Sequence, residues 1–167
     1  MQVFESGWMA VFQDPAGTFF SAWQPLEHIG CRLVNEPGAF VWNELAAVDV
    51  DASRAFYESV FGWGSEGPGA FTVDGQAVCG MHEAGEGEFP SWSVWFSVDD
   101  TDASAAKVTE LGGTVIVPPN DMGFGQGSVV ADPERHQLRH SGRHRDRRPP
   151  HEAPVRRACH VRRNHPA

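Results

Sequence analysis

The sequence predicts an α+β domain made of two equivalent halves, and three observations lead there. Trp42-x6-Asp49 runs into Asp51-Ala52-Ser53, and Trp92-x6-Asp99 runs into Asp102-Ala103-Ser104, so one strand-to-helix phrase stands twice, fifty positions apart. Each copy closes on glycine, at Gly62 and at Gly112-Gly113. An Asp-Pro turn is also repeated with the same run-in, Val11-x2-Asp14-Pro15 and Val129-x2-Asp132-Pro133. Two copies are too few for a solenoid. The economical reading is a pair of halves facing each other across a groove.

The elements follow in order. Trp8 to Phe12 and Phe19 to Trp23 are apolar runs around Asp14-Pro15-Ala16-Gly17, where Pro second and Gly fourth suit a type I turn. A lone hairpin is marginal in water and needs more strands beside it. Phe40 to Val48 is β-branched and aromatic, which predicts a strand. Asp49 or Asp51 can cap a following helix whose stripe is Ala52, Ala55, Phe56, Val60 and Phe61. Ala70 to Val73 and Ala77 to Met81 form a hairpin about Asp74-Gly75. Glu83 to Pro90, with three glutamates and two glycines, reads as an exposed loop. The second half supplies strand Trp92 to Val98, helix Asp102 to Leu111 and strand Thr114 to Val117, stopped by Pro118-Pro119. The glycine-rich loop Gly123 to Gly127 leads into strand Ser128 to Ala131, but no apolar strand follows Asp132-Pro133. That loop lacks the strand-then-helix setting and the Lys of a phosphate-binding loop, and a loop closing over the groove is the milder alternative.

A chain of 167 residues is long enough for one sizeable core. All six tryptophans and eleven phenylalanines precede residue 125, so the apolar core stops well before the C-terminus. The net charge of −9 averages opposite segments. Residues up to 133 carry three basic and nineteen acidic side chains, net −16, and the remainder ten arginines and three acids, net +7. An acidic body repels nucleic-acid phosphates. There is neither an apolar run of membrane-spanning length nor a signal-type N-terminus, so the expectation is a soluble cytoplasmic protein. Cys31, Cys79 and Cys159 make no C-x2-C pair and read as free thiols of a reducing compartment.

The order β-α-β-β, repeated without its last strand, resembles the βαβββ modules of the vicinal oxygen chelate superfamily, which includes glyoxalase I, bleomycin resistance proteins and extradiol dioxygenases. The residues carrying the resemblance are Trp42-Asn43-Glu44-Leu45-Ala46-Ala47-Val48-Asp49, Ala55-Phe56-Tyr57, Val60-Phe61-Gly62-Trp63, Leu111-Gly112-Gly113 and the two Asp-Pro turns. Tandem-domain members labelled glyoxalase-like or hydroxylase are the most similar. The resemblance implies paired βαβββ modules forming a curved mixed sheet around a small-molecule cavity, which in many members holds a divalent metal on four side chains.

Mapped onto this chain, the family's ligand positions fall on Trp42, Ser93, Ser21 and Arg139. An indole accepts no hydrogen bond, a neutral hydroxyl is a poor zinc donor, and a guanidinium repels cations. No metal cofactor is therefore expected. Trp42, Glu44, Ser93, Trp95 and His82 are expected to line the cavity, since ligand pockets are largely aromatic and apolar with a few polar anchors. The bland reading of the tryptophans is core filling, and of His82 a strand-end histidine bonded to backbone or water. Glu44, on the same strand face as Trp42, must be paired or cavity-facing. If a displaced metal site exists, it uses Glu44, His82 and Glu83.

Residues 1–25 thus read as the last hairpin of a truncated preceding domain of the same kind, 26–38 as a linker, 39–133 as the glyoxalase-like domain lacking its final strand, and 134–167 as an Arg/His/Pro-rich disordered tail. The tail's composition suggests out-of-frame translation of a GC-rich gene, a hypothesis the coding DNA decides. If genuine, its ten arginines give only non-specific affinity for phosphate-bearing partners such as nucleic acid. The expected function is metal-free binding of a small organic molecule, by a monomer or a homodimer. The alternatives are a metal-dependent lyase or dioxygenase/hydroxylase, and an inactive gene product.

Overall fold

A computed structural model describes residues 1–142 except 68, 124 and 135. Its strands and helices are β1 (Gln2–Val3), β2 (Gly7–Gln13), β3 (Phe19–Pro25), β4 (Phe40–Ala47), α1 (Val50–Phe61), β5 (Gly64–Glu66), β6 (Ala70–Val73), β7 (Gln76–Glu83), β8 (Ser91–Val98), α2 (Thr101–Glu110), β9 (Thr114–Asp121), β10 (Gln126–Ala131) and β11 (Gln137–Gly142).

Eight strands form one mixed sheet in the order β5-β6-β7-β4-β8-β11-β10-β9, and β1-β2-β3 form a second. The large sheet has an internal two-fold. From the central antiparallel pair β4 and β8, each half runs outward as first, fourth, third and second strand, and in each the first and fourth strands pair in parallel. The α+β architecture of two βαβββ halves is therefore present as expected.

The helix caps fix how the halves correspond. Asp49 accepts from the Ala52 N–H and Asp100 from the Ala103 N–H, and these N-caps lie 51 positions apart, one more than the repeat visible in the sequence. Trp42 is therefore equivalent to Ser93 and Glu44 to Trp95. The observed pairs, Trp42 with Trp95 and Glu44 with Ser93, exchange under the two-fold. Asp51, the other candidate cap of the first helix, is not the cap.

Several expectations need correction. A final strand exists: β11 pairs antiparallel with β10 and parallel with β8, so the domain does not lack it and residues 137–142 are not tail. Its entry turn copies the first one. Asp14 N–H donates to Thr18 O while Asp14 Oδ1 accepts the Thr18 N–H, and Asp132 and His136 make the same two bonds. Backbone pairing with two neighbours thus overrides a sequence without strand character. The rest of the proposed tail, from residue 143, lies outside the described residues. β9 continues through Pro118 and Pro119 to Asp121 because it is an edge strand, where a missing N–H costs no ladder bond. On α1 the buried positions are Ser53 and Tyr57, whereas Ala52, Ala55, Val60 and Phe61 are exposed. Asp74 and Gly75, with φ +51° and +74°, make the expected tight hairpin turn.

The core forms where alternate strand residues Leu45, Ala47, Cys79 and Met81 meet Phe71 and Tyr57. Tyr57 is the protein's only tyrosine and is fully buried. Its hydroxyl donates to Asp14 Oδ2 and accepts from Trp92 Nε1, both at 3.0 Å, and burial pushes its pKa well above the ordinary phenol value. Phe20 of β3 packs edge-on to Phe56, Tyr57 and Phe61, so the N-terminal hairpin is docked on α1. Burial pushes the Cys79 thiol up to about 12, which leaves it inert. Among the described residues no helix is long and apolar enough to cross a membrane.

Candidate functional site

The alternation that sends Leu45 and Met81 toward α1 sends Trp42, Glu44, Gly80 and His82 to the opposite face of the sheet. Cross-strand pairing adds Ser93 and Trp95 from β8, and the parallel pair of Arg139 with Trp95 adds β11. All five expected lining residues, Trp42, Glu44, His82, Ser93 and Trp95, thus share one face. A shallow groove of about 570 Å³ beside Gly38, Val98 and Ala103 shares no residue with them.

Charge organises this face. Arg139 reaches Glu88 through Nη2 at 2.7 Å and Glu44 through Nη1 at 3.6 Å. His82 Nε2 lies 3.1 Å from Glu88 Oε2, and its Nδ1 lies 3.6 Å from Glu44 Oε1, an ion-pair distance longer than a hydrogen bond. The four side chains close a ring of alternating sign, with 15% (Arg139) to 34% (His82) of each exposed. Trp95, 3% exposed, donates from Nε1 to Glu44 Oε2 at 3.2 Å, and the Arg139 guanidinium lies over its ring, 5.6 Å from the centroid. The Ser93 hydroxyl donates to the Glu44 carbonyl at 3.1 Å, so it braces the strand.

The ring sets the charge states. Glu44 first, and Glu88 with it, favour the protonated form of His82 against its burial, raising its pKa. Burial alone would raise Glu44 and Glu88. For Glu44 the attraction of His82 and Arg139 outweighs it, and for Glu88 the Gly85 N–H, Arg139 and His82 do, so both carboxyls sit below their ordinary value. Chemically the face can hold an anion on Arg139 and protonated His82, and it offers flat apolar surface at Trp42.

The divalent ion of the family fits this donor set poorly. Both carboxylates are already neutralised by a guanidinium that would repel a cation, and among the described residues no three His, Cys, Asp or Glu side chains are arranged to hold a metal. Glu83, the third member of the fallback metal set, is exposed and alternates away from His82. Ser21 lies exposed in the separate small sheet. The residue that sequence reasoning missed is Glu88, one of three loop glutamates with nothing in its spacing to single it out. Arg139 stood at a family position, yet its strand was not expected.

The family model described as Glyoxalase/Bleomycin resistance protein/Dioxygenase superfamily matches residues 39–139. The chain belongs to this superfamily. Its domain thus takes in the first half of β11, in keeping with the strand pairing. A Mycobacterium tuberculosis protein named "Putative glyoxylase CFP32" is 36% identical over 140 residues, covering 78% of this chain and 54% of that protein. The anthracycline biosynthesis protein DauV of a Streptomyces species is 33% identical over 142 residues, covering 80% and 52%. The chain spans about half the length of these superfamily relatives. A solved Legionella pneumophila structure, described as an NAD-dependent benzaldehyde dehydrogenase, matches at 20% identity and a TM-score of 0.47, covering 62% of this chain and 98% of that one, a likeness too slight to build on.

Proposed function

We propose that this superfamily member binds a small, partly aromatic organic molecule against the Trp42 face of the sheet, without a divalent ion. The observation that supports this is Arg139, a guanidinium bridging Glu44 and Glu88 at the place where metal-binding relatives need a donor. The mean apolar character of ligand sites, with few polar anchors, matches a face of Trp42 and Trp95 beside one charged ring. The relatives' names point to handling of small organic compounds, and here that remains the class of ligand rather than its identity.

The test is calorimetric titration of the purified chain with neutral and charged aromatic compounds, run beside Trp42→Leu, with elemental analysis of the same preparation. We expect binding to at least one compound class that Trp42→Leu weakens about tenfold, and less than a tenth of a metal equivalent. Stoichiometric Zn, Ni, Fe or Mn whose removal abolishes binding would instead establish the metal-dependent lyase or dioxygenase/hydroxylase alternative.

A further inference from the structure

We propose, building on the binding reading above, that the ligand of this face is a carboxylate-bearing molecule and that the Glu88 side chain occupies its seat in the unliganded protein. The receptor groups and the occupant come from different kinds of structure. Arg139 and His82 project from β11 and β7, each held in the sheet by its neighbours, whereas Glu88 belongs to the connection after β7, between Gly85 and Gly87 on one side and Phe89, 85% exposed, on the other. Its carboxylate accepts from Arg139 Nη2 at 2.7 Å, contacts His82 Nε2 at 3.1 and 3.2 Å, and accepts the Gly85 N–H at 3.1 Å. Two of those three partners are sheet groups that a ligand carboxylate can use equally well, with the bidentate geometry that guanidinium favours.

The seat survives the departure of its occupant. Arg139 stays held by Glu44 and by the Trp95 ring, and Trp95 is in turn tied to Glu44. Charge then selects the guest. With Glu88 in place the ring holds two carboxylates against Arg139 and protonated His82 and is neutral. With Glu88 swung out, one positive charge is left in a partly buried site, and a monoanion restores the balance where a neutral molecule does not. Trp42, on the same strand face as Glu44, supplies apolar surface for the body of the molecule.

A tethered carboxylate competes with a free one at its effective concentration, typically millimolar for a short connection. Removing it therefore tightens binding of an external carboxylate. Benzoate and phenylacetate, each paired with its methyl ester, would be titrated into the wild-type protein, Glu88→Ala, Glu88→Gln and Arg139→Gln. Expected is acid binding about tenfold tighter to Glu88→Ala than to wild type, a smaller gain in Glu88→Gln, ester binding unchanged, and loss of the acid-over-ester preference in Arg139→Gln. Esters binding as well as acids to Glu88→Ala, or unchanged acid affinity in both Glu88 variants, overturns the carboxylate seat while leaving the binding reading intact. Failure of every compound, neutral or charged, in all variants would remove both readings. Circular dichroism on each variant confirms folding, and Glu88→Gln, the near-isosteric change on an exposed connection, keeps the comparison available if the alanine variant is unstable.

Discussion

Tyr57 and Asp14 are 43 residues apart in sequence and joined by a buried hydrogen bond of 3.0 Å, which ties the N-terminal hairpin to the first helix of the large domain. The same hydroxyl accepts from Trp92, so one atom links β2's turn, α1 and β8. Tyr57→Phe leaves both partners unsatisfied in the interior, and each such loss costs about 1–3 kcal/mol. We expect a drop of roughly that size in urea-measured unfolding free energy, with native circular dichroism retained. An unchanged midpoint would show that the Tyr57 hydroxyl bonds contribute nothing to stability.

The caps allow a sharper test of the internal symmetry. Asp49→Ala and Asp100→Ala should each cost about 1 kcal/mol, the usual worth of an N-cap carboxylate. Asp51→Ala and Asp102→Ala, one turn in, should cost a few tenths at most. Equal losses at Asp100 and Asp102 would contradict the 51-residue correspondence of the halves.

Stability should respond to pH in two opposite ways through two histidines. The folded pKa of His82 is raised, so its contribution is fully present below 6.5 and fades as pH rises through the folded value. The lowered Glu44 and Glu88 contribute above 4.5 and lose that contribution as pH falls below it, so the ring helps most between those two values. His140 is 6% exposed, and neither ring nitrogen has a hydrogen-bond partner among the described residues. Burial lowers its folded pKa, so the unfolded chain takes up a proton first and stability falls as pH drops below 6.5. Urea midpoints across pH 4.5–8.5 should show His140→Leu flattening the acid limb and His82→Gln flattening the alkaline one. If both variants keep the wild-type profile, neither ring is titrating as described.

Two glycines open space for the site tryptophans. A Cβ at Gly127 would stand 2.9 Å from the Trp95 ring and 2.9 Å from Met122, and one at Gly80 would stand 2.8 Å from Trp42 Nε1. Trp95 is buried with no room to yield, whereas Trp42 is only half-buried. Gly127→Ala should therefore cost about 1–3 kcal/mol, as overpacking does, and Gly80→Ala clearly less. Gly80→Ala should still weaken ligand binding, because Trp42 must shift. Comparable stabilities for the two variants would show that Trp95 yields as readily as Trp42.

Much of the architecture was legible because it is written in short-range signals. Aspartate caps, the Asp74-Gly75 turn and glycine helix ends act over a few residues, and the alternation along β4 and β8 gave the shared face of Trp42, Glu44, Ser93 and Trp95. The sequence repeat aligns Asp49 with Asp99, whereas the structural equivalent of Asp49 is the adjacent Asp100, which caps the second helix. β11 was missed for a different reason. Gln137-Leu138-Arg139-His140 carries no strand preference of its own, and its pairing comes from β8 and β10 on either side.

The sequence by itself determined the two-half α+β plan and the superfamily. Only the tertiary structure decided how Trp42, Ser93 and Arg139, the residues that the resemblance singled out on the large sheet, are partnered. Glu44, His82, Glu88 and Arg139 come from three strands and a loop up to 95 positions apart, and their charges are meaningful only as a closed ring. Electrostatic attraction depends on separations of a few ångströms, and no spacing along the chain encodes those separations.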